Sequence, residues 1–504
     1  MIRSMSHAAP DRTEDARYLA MLARDARFDG SFFTGVTSTG IYCRPVCRVR
    51  TPKRENCRFF DHAVQAEGAG FRPCLRCRPE LAPLQPMWST QDASAMLAQQ
   101  AARLLDQPAT FSESSGGKPV STLNRLALRM GVSERHVRRI FEAQFGVSPL
   151  QYLQTRRLLN AKQLLTDTRL SVTTIALSSG FGSVRRFNAA FVQHYGLNPS
   201  GLRQASAAHS DAGICVRLGY RPPYDVQALL AFYAKRSMAS VEFVETSSLL
   251  PRLGKTLRLQ TAGQTHSGWL LAEFDESRHQ LVLRVSDGLR EVLPQVIARV
   301  RACFDLDADP LQINPVLHKS FPLGDGLRVP GALDGFEIAV RAVLGQQITV
   351  AAARTLAQRL VNTLGETIAT PWPQLSRLFP SAARLAQTRP DTLGQLGIVK
   401  QRQAAIVALA RAVASQSIDL QGGADVTTTM TALKELPGVG DWTAHYIAMR
   451  ALRWPDAFPA ADVALHKALG LQGQPQAARQ ALAASLAWQP WRSYAVIRAW
   501  SSLS

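Results

Sequence analysis

What the chain lacks narrows it first. No run of 18 or more apolar residues occurs in its 504 positions, so no membrane-spanning helix is expected. Met1 to Arg17 mixes both charge signs and lacks the apolar stretch of a secretory leader, so a reducing cytoplasm is the expected location. Cysteines are few and odd in number, seven in all, which argues against a disulfide framework. Acidic residues are scarce: 38 Asp and Glu stand against 58 Lys and Arg, leaving a net charge of +20. That surplus exceeds what solubility asks for and points to a polyanionic partner, of which nucleic acid is the usual one. Hydrophobic residues make up 46% of the chain, enough for several cores, and the length suits three or four domains.

Composition divides the chain into four expected regions. Residues 1–85 hold close cysteine pairs and many arginines. Residues 90–205 read as helical and basic, with a flexible insertion at Ser112 to Pro119. A small, polar linker at Ala205 to Gly213 leads into residues 214–325, which contain strand-like runs such as Gln280 to Val285. Residues 326–504 read as mostly helical. One internal repeat stands out: Phe141, Phe145, Gly146 and Pro149 recur 50 positions later as Phe191, Tyr195, Gly196 and Pro199. Two similar helical units in tandem are implied.

Cys43 and Cys47 form one close pair and Cys74 and Cys77 another, with 26 residues between the pairs. Two pairs across a loop fit a tetrahedral four-thiolate zinc site, and a purely structural zinc knot is one reading of it. Charge suggests a second. Between Cys43 and Arg78 stand nine Lys or Arg and three acids. A cationic rim would hold a phosphate backbone close to a nucleophilic thiolate. The runs Phe32 to Cys47 and Gly70 to Cys77 resemble the N-terminal domain of the Ada adaptive-response family, over about residues 15–80. The resemblance implies a small α+β zinc domain held by Cys43, Cys47, Cys74 and Cys77. It implies that Cys43 takes a methyl group irreversibly from a DNA methylphosphotriester, with Thr39, Arg50 and Arg72 on the DNA backbone. Cys57 falls outside the quartet and reads as a buried free thiol.

Leu126 to Ser133 leads into Glu134 to Phe141, and Ile175 to Ser183 leads into Val184 to Phe191. A helix, a glycine turn, a serine cap and a second helix fit a helix-turn-helix, although a helical bundle with a solvated basic face fits one such unit almost as well. Ala176 to Arg203 resembles the AraC-type regulators. That resemblance implies an all-α double helix-turn-helix whose second helices enter successive major grooves, promoter DNA as ligand and RNA polymerase as partner. Arg135, Arg138, Arg139, Arg185, Arg186 and Asn188 are the candidate contacts.

Leu436 to Gly440 lies between two helical stretches, and a tight glycine turn at a helix start offers backbone amides to phosphate. Gly438 and Gly440 are its candidate DNA contacts. A plain helical hairpin is the alternative. Taken with Phe458 to Lys467, Arg221 to Asp225, Arg341 to Gln346 and Trp488 to Tyr494, the run resembles the helix-hairpin-helix glycosylases, and the AlkA branch closely, over about residues 216–500. The resemblance implies an α+β AlkA-like subdomain ahead of an all-α core. It makes Asp462 the carboxylate that stabilises the cationic sugar as a damaged base leaves. Phe232, Trp442, Tyr446 and Trp500 would line the pocket for a flipped base, electron-rich rings that suit cationic alkylated purines. Relatives that nick the strand carry a lysine where Trp442 stands, so a monofunctional enzyme is expected. The branch fills the vacated stack with an apolar wedge; Gln347 occupies that place here, and either Gln347 or Ile348 could intercalate. The Pro-Cys-His-Arg motif of the second Ada methyltransferase is absent from this sequence. Three readings compete: repair enzyme joined to regulator, regulator with a silent glycosylase fold, and glycosylase alone. Asp462 with its aromatic set and Cys43 in the acceptor position favour the first.

Overall fold

A computed structural model describes residues 12–84, 93–106, 121–203, 213–261 and 263–503. The expected insertion at Ser112 to Pro119, and the linker from Ala205 to Ala212, lie outside the described residues. Among the described residues, no helix is long and apolar enough to cross a membrane.

The first module carries a four-stranded sheet in the order Cys57–Phe60, Phe33–Val36, Ile41–Cys43, Arg72–Pro73. The first three strands pair antiparallel, but Ile41–Cys43 and Arg72–Pro73 run parallel. Phe33, Tyr42, Ala66, Phe71 and Ala82 form its small core.

The repeat seen in the sequence is a structural repeat. Thr122–Met130 and Glu134–Phe145 make one helix pair, and Val172–Ser178 and Val184–Tyr195 the other. Pro149–Asp167 joins them. Ser133 and Ser183 each accept a backbone amide at the start of the second helix, which satisfies an otherwise orphaned N–H. Gly146 and Gly196 close those helices at φ of 70° and 67°, a left-handed conformation that glycine adopts without strain. The two units nevertheless belong to different cores. Val137, Ile140, Phe141 and Phe145 pack with the helix Ala93–Asp106. Phe187, Phe191 and Tyr195 instead join one apolar cluster with Leu218, Leu281, Leu283 and Val285 of the following sheet.

That sheet has five antiparallel strands, ordered Ile214–Gly219, Gln280–Val285, Gln264–Asp275, Arg252–Thr261, Glu242–Glu245. Along Gln280–Val285 every second residue is buried, the period of a strand with one face on a core. The helical core follows, from Gly335–Leu344 to Arg492–Ser501. Its apolar centre also takes in Met238, Val241, Ile313 and Leu317 from the preceding region. Packing therefore crosses position 325.

Buried polar contacts tie the modules together. Arg221 is fully buried and donates to the carbonyls of Asp29 (2.7 Å), Leu84 (2.9 Å) and Asp307 (2.9 Å). Lys162 meets Glu80 at 2.5 Å, and Arg78 meets Asp167 at 2.7 Å. Glu67 accepts from Tyr42 Oη and Thr155 Oγ1, both at 2.7 Å, and faces His194 at 2.8 Å.

Candidate functional site

The parallel strand pair assembles the first centre. Its register sets Tyr42 beside Pro73, so the two chains leave the sheet side by side at Cys43 and Cys74. The turns that follow bring in Cys47 and Cys77. All four Sγ atoms lie within 4.8 Å of one another. A tetrahedron with zinc–sulfur bonds of ~2.3 Å has an edge of roughly 3.8 Å, so this set fits zinc. Cys43, Cys47 and Cys74 are buried and Cys77 is half-buried. The crowded sulfurs share protons: hydrogen bonding with Cys47 pushes the Cys43 thiol well above its ordinary range, while hydrogen bonding with Cys43 pulls Cys74 well below it. The backbone amide of Arg44 donates to Cys77 Sγ at 3.4 Å, and the Arg44 guanidinium is buried against Asp29. Cys57 is buried away from the quartet, and burial raises its thiol, the pattern of an inert cysteine.

Thr39, Arg50 and Arg72 are exposed. Arg72 lies beside Gly196, where an added Cβ would come within 3.3 Å of its guanidinium. The zinc module therefore abuts the end of the second helix-turn-helix unit. In that region Arg135, Arg138, Arg139, Arg185, Arg186 and Asn188 are all exposed, and the buried faces of the same two helices carry Val137, Ile140, Phe141, Phe187 and Phe191.

The second centre is built from three distant segments. Asp462 caps the helix Val463–Ala468 through the Leu465 amide at 2.7 Å. It is also a target for two indoles: Trp442 Nε1 donates to Oδ2 at 2.8 Å and Trp500 Nε1 to Oδ1 at 3.0 Å. Cap and site residue are thus the same group. Trp442 and Tyr446 stack at 5.3 Å, and Tyr446 lies 6.3 Å from Trp500. Ahead of them, Val426–Glu435 and Asp441–Arg450 flank the hairpin. Gly438 takes φ of 75°, and Gly440 starts the second helix without a side-chain cap, with open space where a Cβ would stand. Those uncapped amides suit a phosphate. Gln347 is exposed at the tip between two helices, with φ of 57°. Its neighbour Gln346 donates to the Gly438 carbonyl at 2.8 Å and to Thr443 Oγ1 at 2.9 Å, which locks this tip to the hairpin.

Two arginines at the pocket escape the sequence reading. Arg236 stacks on Phe232 with its guanidinium carbon 3.6 Å from the ring centroid. Arg450 lies 5.0 Å from Phe232 and 5.5 Å from Tyr446, and its Nη1 donates to Tyr446 Oη at 2.7 Å. Two of the four rings expected to attract a cationic base, Phe232 and Tyr446, thus already lie beside guanidiniums. The one trace in the sequence is spacing: each arginine stands four positions after a pocket aromatic.

A four-thiolate centre, paired helix-turn-helix units and a hairpin beside a carboxylate-centred aromatic pocket together define a modular DNA repair and regulatory protein. Comparisons with known proteins agree module by module. Family models match the metal-binding domain of Ada at 16–80 and a helix-turn-helix domain at 126–205. Others match the AlkA N-terminal domain at 215–334 and the HhH-GPD superfamily of base excision DNA repair proteins at 340–492. The probable bifunctional transcriptional activator/DNA repair enzyme AlkA of Mycobacterium tuberculosis is 36% identical over 498 residues, covering 96% of each chain. DNA-3-methyladenine glycosylase 2 of Escherichia coli is 34% identical over 283 residues, 56% of this chain and 95% of the relative. The bifunctional transcriptional activator/DNA repair enzyme Ada of Escherichia coli is 39% identical over 169 residues, 34% of this chain and 43% of the relative. The chain belongs to the family of bifunctional transcriptional activator/DNA repair enzymes.

Proposed function

We propose that the chain senses and repairs alkylated DNA through two separate chemistries. At the first centre the Cys43 sulfur attacks the methyl carbon of a DNA methylphosphotriester. The carbon–oxygen bond breaks, a phosphodiester leaves and the sulfur becomes a thioether. Bound zinc, held by Cys43, Cys47, Cys74 and Cys77, would keep the sulfurs as thiolates near neutral pH. Thr39, Arg50 and Arg72 hold the DNA backbone at this face. Methylation removes one negative charge from the centre, which lowers its repulsion from phosphate and tightens DNA binding. The helix-turn-helix units then read promoter DNA through Arg135, Arg138, Arg139, Arg185, Arg186 and Asn188, with RNA polymerase as the recruited partner and the cytoplasm as the place of action.

At the second centre a damaged purine is flipped from the duplex, and Gln347 or its neighbour Ile348 fills the gap. Gly438 and Gly440 grip the phosphate. Asp462 faces the cationic sugar as the glycosidic bond breaks, and water adds to the sugar carbon. The expected substrates are alkylated purines of the 3-methyladenine class, excised without strand nicking because Trp442 offers no amine for a Schiff base. The observation that carries this half is the convergence of the Trp442 and Trp500 indoles on Asp462.

The test incubates wild type and Asp462→Asn protein with duplex DNA holding one 3-methyladenine analogue or hypoxanthine, then cleaves abasic sites with alkali. Cleavage with wild type alone supports the assignment. No cleavage with either, with DNA binding retained, leaves a methylation-sensing regulator with a silent glycosylase fold.

A further inference from the structure

The loop that delivers Asp462 is pinned by two histidines. Phe458 donates its backbone N–H to His445 Nδ1 at 3.2 Å. The Ala460 carbonyl accepts from His466 Nε2 at 2.7 Å. Inside the loop Ala460 donates to the Phe458 carbonyl and Asp462 to the Pro459 carbonyl, both at 2.9 Å, so a constraint at Phe458 carries through to Asp462. His445 stands on Asp441–Arg450, between Trp442 and Tyr446 in sequence. Its contact therefore fixes the loop to the helix that aims an indole at the carboxylate.

The two histidines play different parts. A carbonyl only accepts, so His466 Nε2 carries a proton whatever the charge of its ring. A backbone N–H only donates, so His445 Nδ1 must be unprotonated, which the neutral ring alone allows. His445 is half-buried and stacks on Trp454 at 5.9 Å. The charges that face it come as opposite pairs. Asp441, 3.7 Å from its Nε2, is matched by Lys434, and Asp456 is matched by Arg492. Burial therefore decides, and it holds the ring below the ordinary histidine range, neutral near neutral pH.

We propose that His445 is a positioning residue for excision: its unprotonated Nδ1 holds the loop from Phe458 to Asp462 against the helix of Trp442, and protonation of His445 releases that loop. When the ring takes a proton from solvent at Nδ1, two N–H groups face each other and the contact turns from attractive to repulsive. The carboxylate then loses the register in which Trp442 Nε1 meets it, and the cationic sugar loses its partner. Because burial depresses this histidine, the support is complete above the ordinary histidine range and is lost as pH falls through the value in the folded protein. Excision thus has an acid limit that belongs to His445, in addition to any set by Asp462 itself. This inference rests on the excision proposed above and names a residue that aims its carboxylate.

The test follows single-turnover excision, at saturating protein, from duplex holding one 3-methyladenine analogue or hypoxanthine. Wild type, His445→Asn and His445→Leu are compared from about pH 8 down to about pH 4.5. Asn sets its Oδ1 where Nδ1 stands and accepts at every pH, whereas Leu accepts at none. The acid-side rate, relative to the same protein's rate at about pH 8, is expected to be about fivefold or more lower for wild type than for His445→Asn, the worth of one hydrogen bond. At about pH 8 His445→Leu is expected to be slower than His445→Asn by about the same factor. The first comparison decides even where His445→Leu fails to fold. A merely structural side chain would not move the acid limb, so one acid profile shared by wild type and His445→Asn overturns this inference alone. Excision by none of the three, with duplex binding retained, overturns the assigned glycosylase and this inference with it.

Discussion

The Cys43 and Asp462 centres are assembled by opposite means. Four sulfurs come from two short segments whose parallel strands end side by side, and the ligand atoms themselves hold the cluster. Asp462 has one carboxylate and depends on helices carrying Trp442 and Trp500 to aim two indoles at it. A metal centre concentrates its information in spacing, and its folding is coupled to the ion. An aromatic pocket disperses its information across the chain and depends on the packing of a whole domain. The two proposed chemistries match these designs. A sulfur that becomes a thioether acts once, whereas a carboxylate that stabilises a passing charge is regenerated.

The sharpest test of that contrast separates the centres. Asp462→Asn keeps the shape of the cap but removes the charge. Excision is expected to fall by at least about 100-fold. Methyl uptake on Cys43, read by mass spectrometry of the intact protein, is expected to stay as in wild type. A parallel loss of methyl uptake would show that the centres are not independent. The converse treatment strips zinc with a chelator. Methyl uptake is expected to vanish while excision persists, because the apolar cluster around Asp462 draws none of the described residues up to position 84. Loss of excision on chelation would instead show that the Arg221 contacts to Asp29 and Leu84 transmit unfolding of the zinc module.

These differences also explain what the sequence disclosed. The quartet was legible because zinc fixes spacing within each pair, and the tandem helices because capping serines and left-handed glycines recur at one offset. Gln280–Val285 announced its strand by alternation. The shared core of Phe187, Phe191, Leu281 and Leu283 was hidden, since a buried phenylalanine looks the same whichever neighbour buries it. Arg236 and Arg450 were hidden for a related reason. Arg450 ends a helix and Arg236 sits in the turn after one, and neither marks a site until Val226–Ala234 and Asp441–Arg450 bring their aromatic neighbours together. Asp462 was identified by family resemblance, because a lone aspartate before a helix most often means a cap, and here it is one as well.

A smaller effect probes how the pocket aims its carboxylate. Trp500→Phe keeps the ring but deletes the N–H that reaches Asp462 Oδ1. The loss of one hydrogen bond to a charged acceptor predicts excision slower by about tenfold or more, with zinc content and methyl uptake unaltered. Equal rates would mean that Trp442 and the Leu465 amide suffice to hold the carboxylate.

The hairpin glycines allow the finest division, between holding the fold and holding DNA. Gly438 has φ of 75°, and a Cβ there would also stand 3.4 Å from Ala405 Cβ. Gly438→Ala is therefore expected to cost about 1–2 kcal/mol of stability, the penalty of a left-handed alanine, read as a lower midpoint in thermal unfolding. Gly440 has φ of −92° and no atom within 4 Å of the place a Cβ would take, so its alanine variant meets no strain inside the protein. Gly440→Ala is expected to leave the unfolding midpoint in place and weaken binding to abasic-site duplex, since the open space is where a phosphate would sit. If both variants lose stability equally, the hairpin is only a structural turn. If Gly440→Ala binds duplex as well as wild type, phosphate is not gripped at that amide.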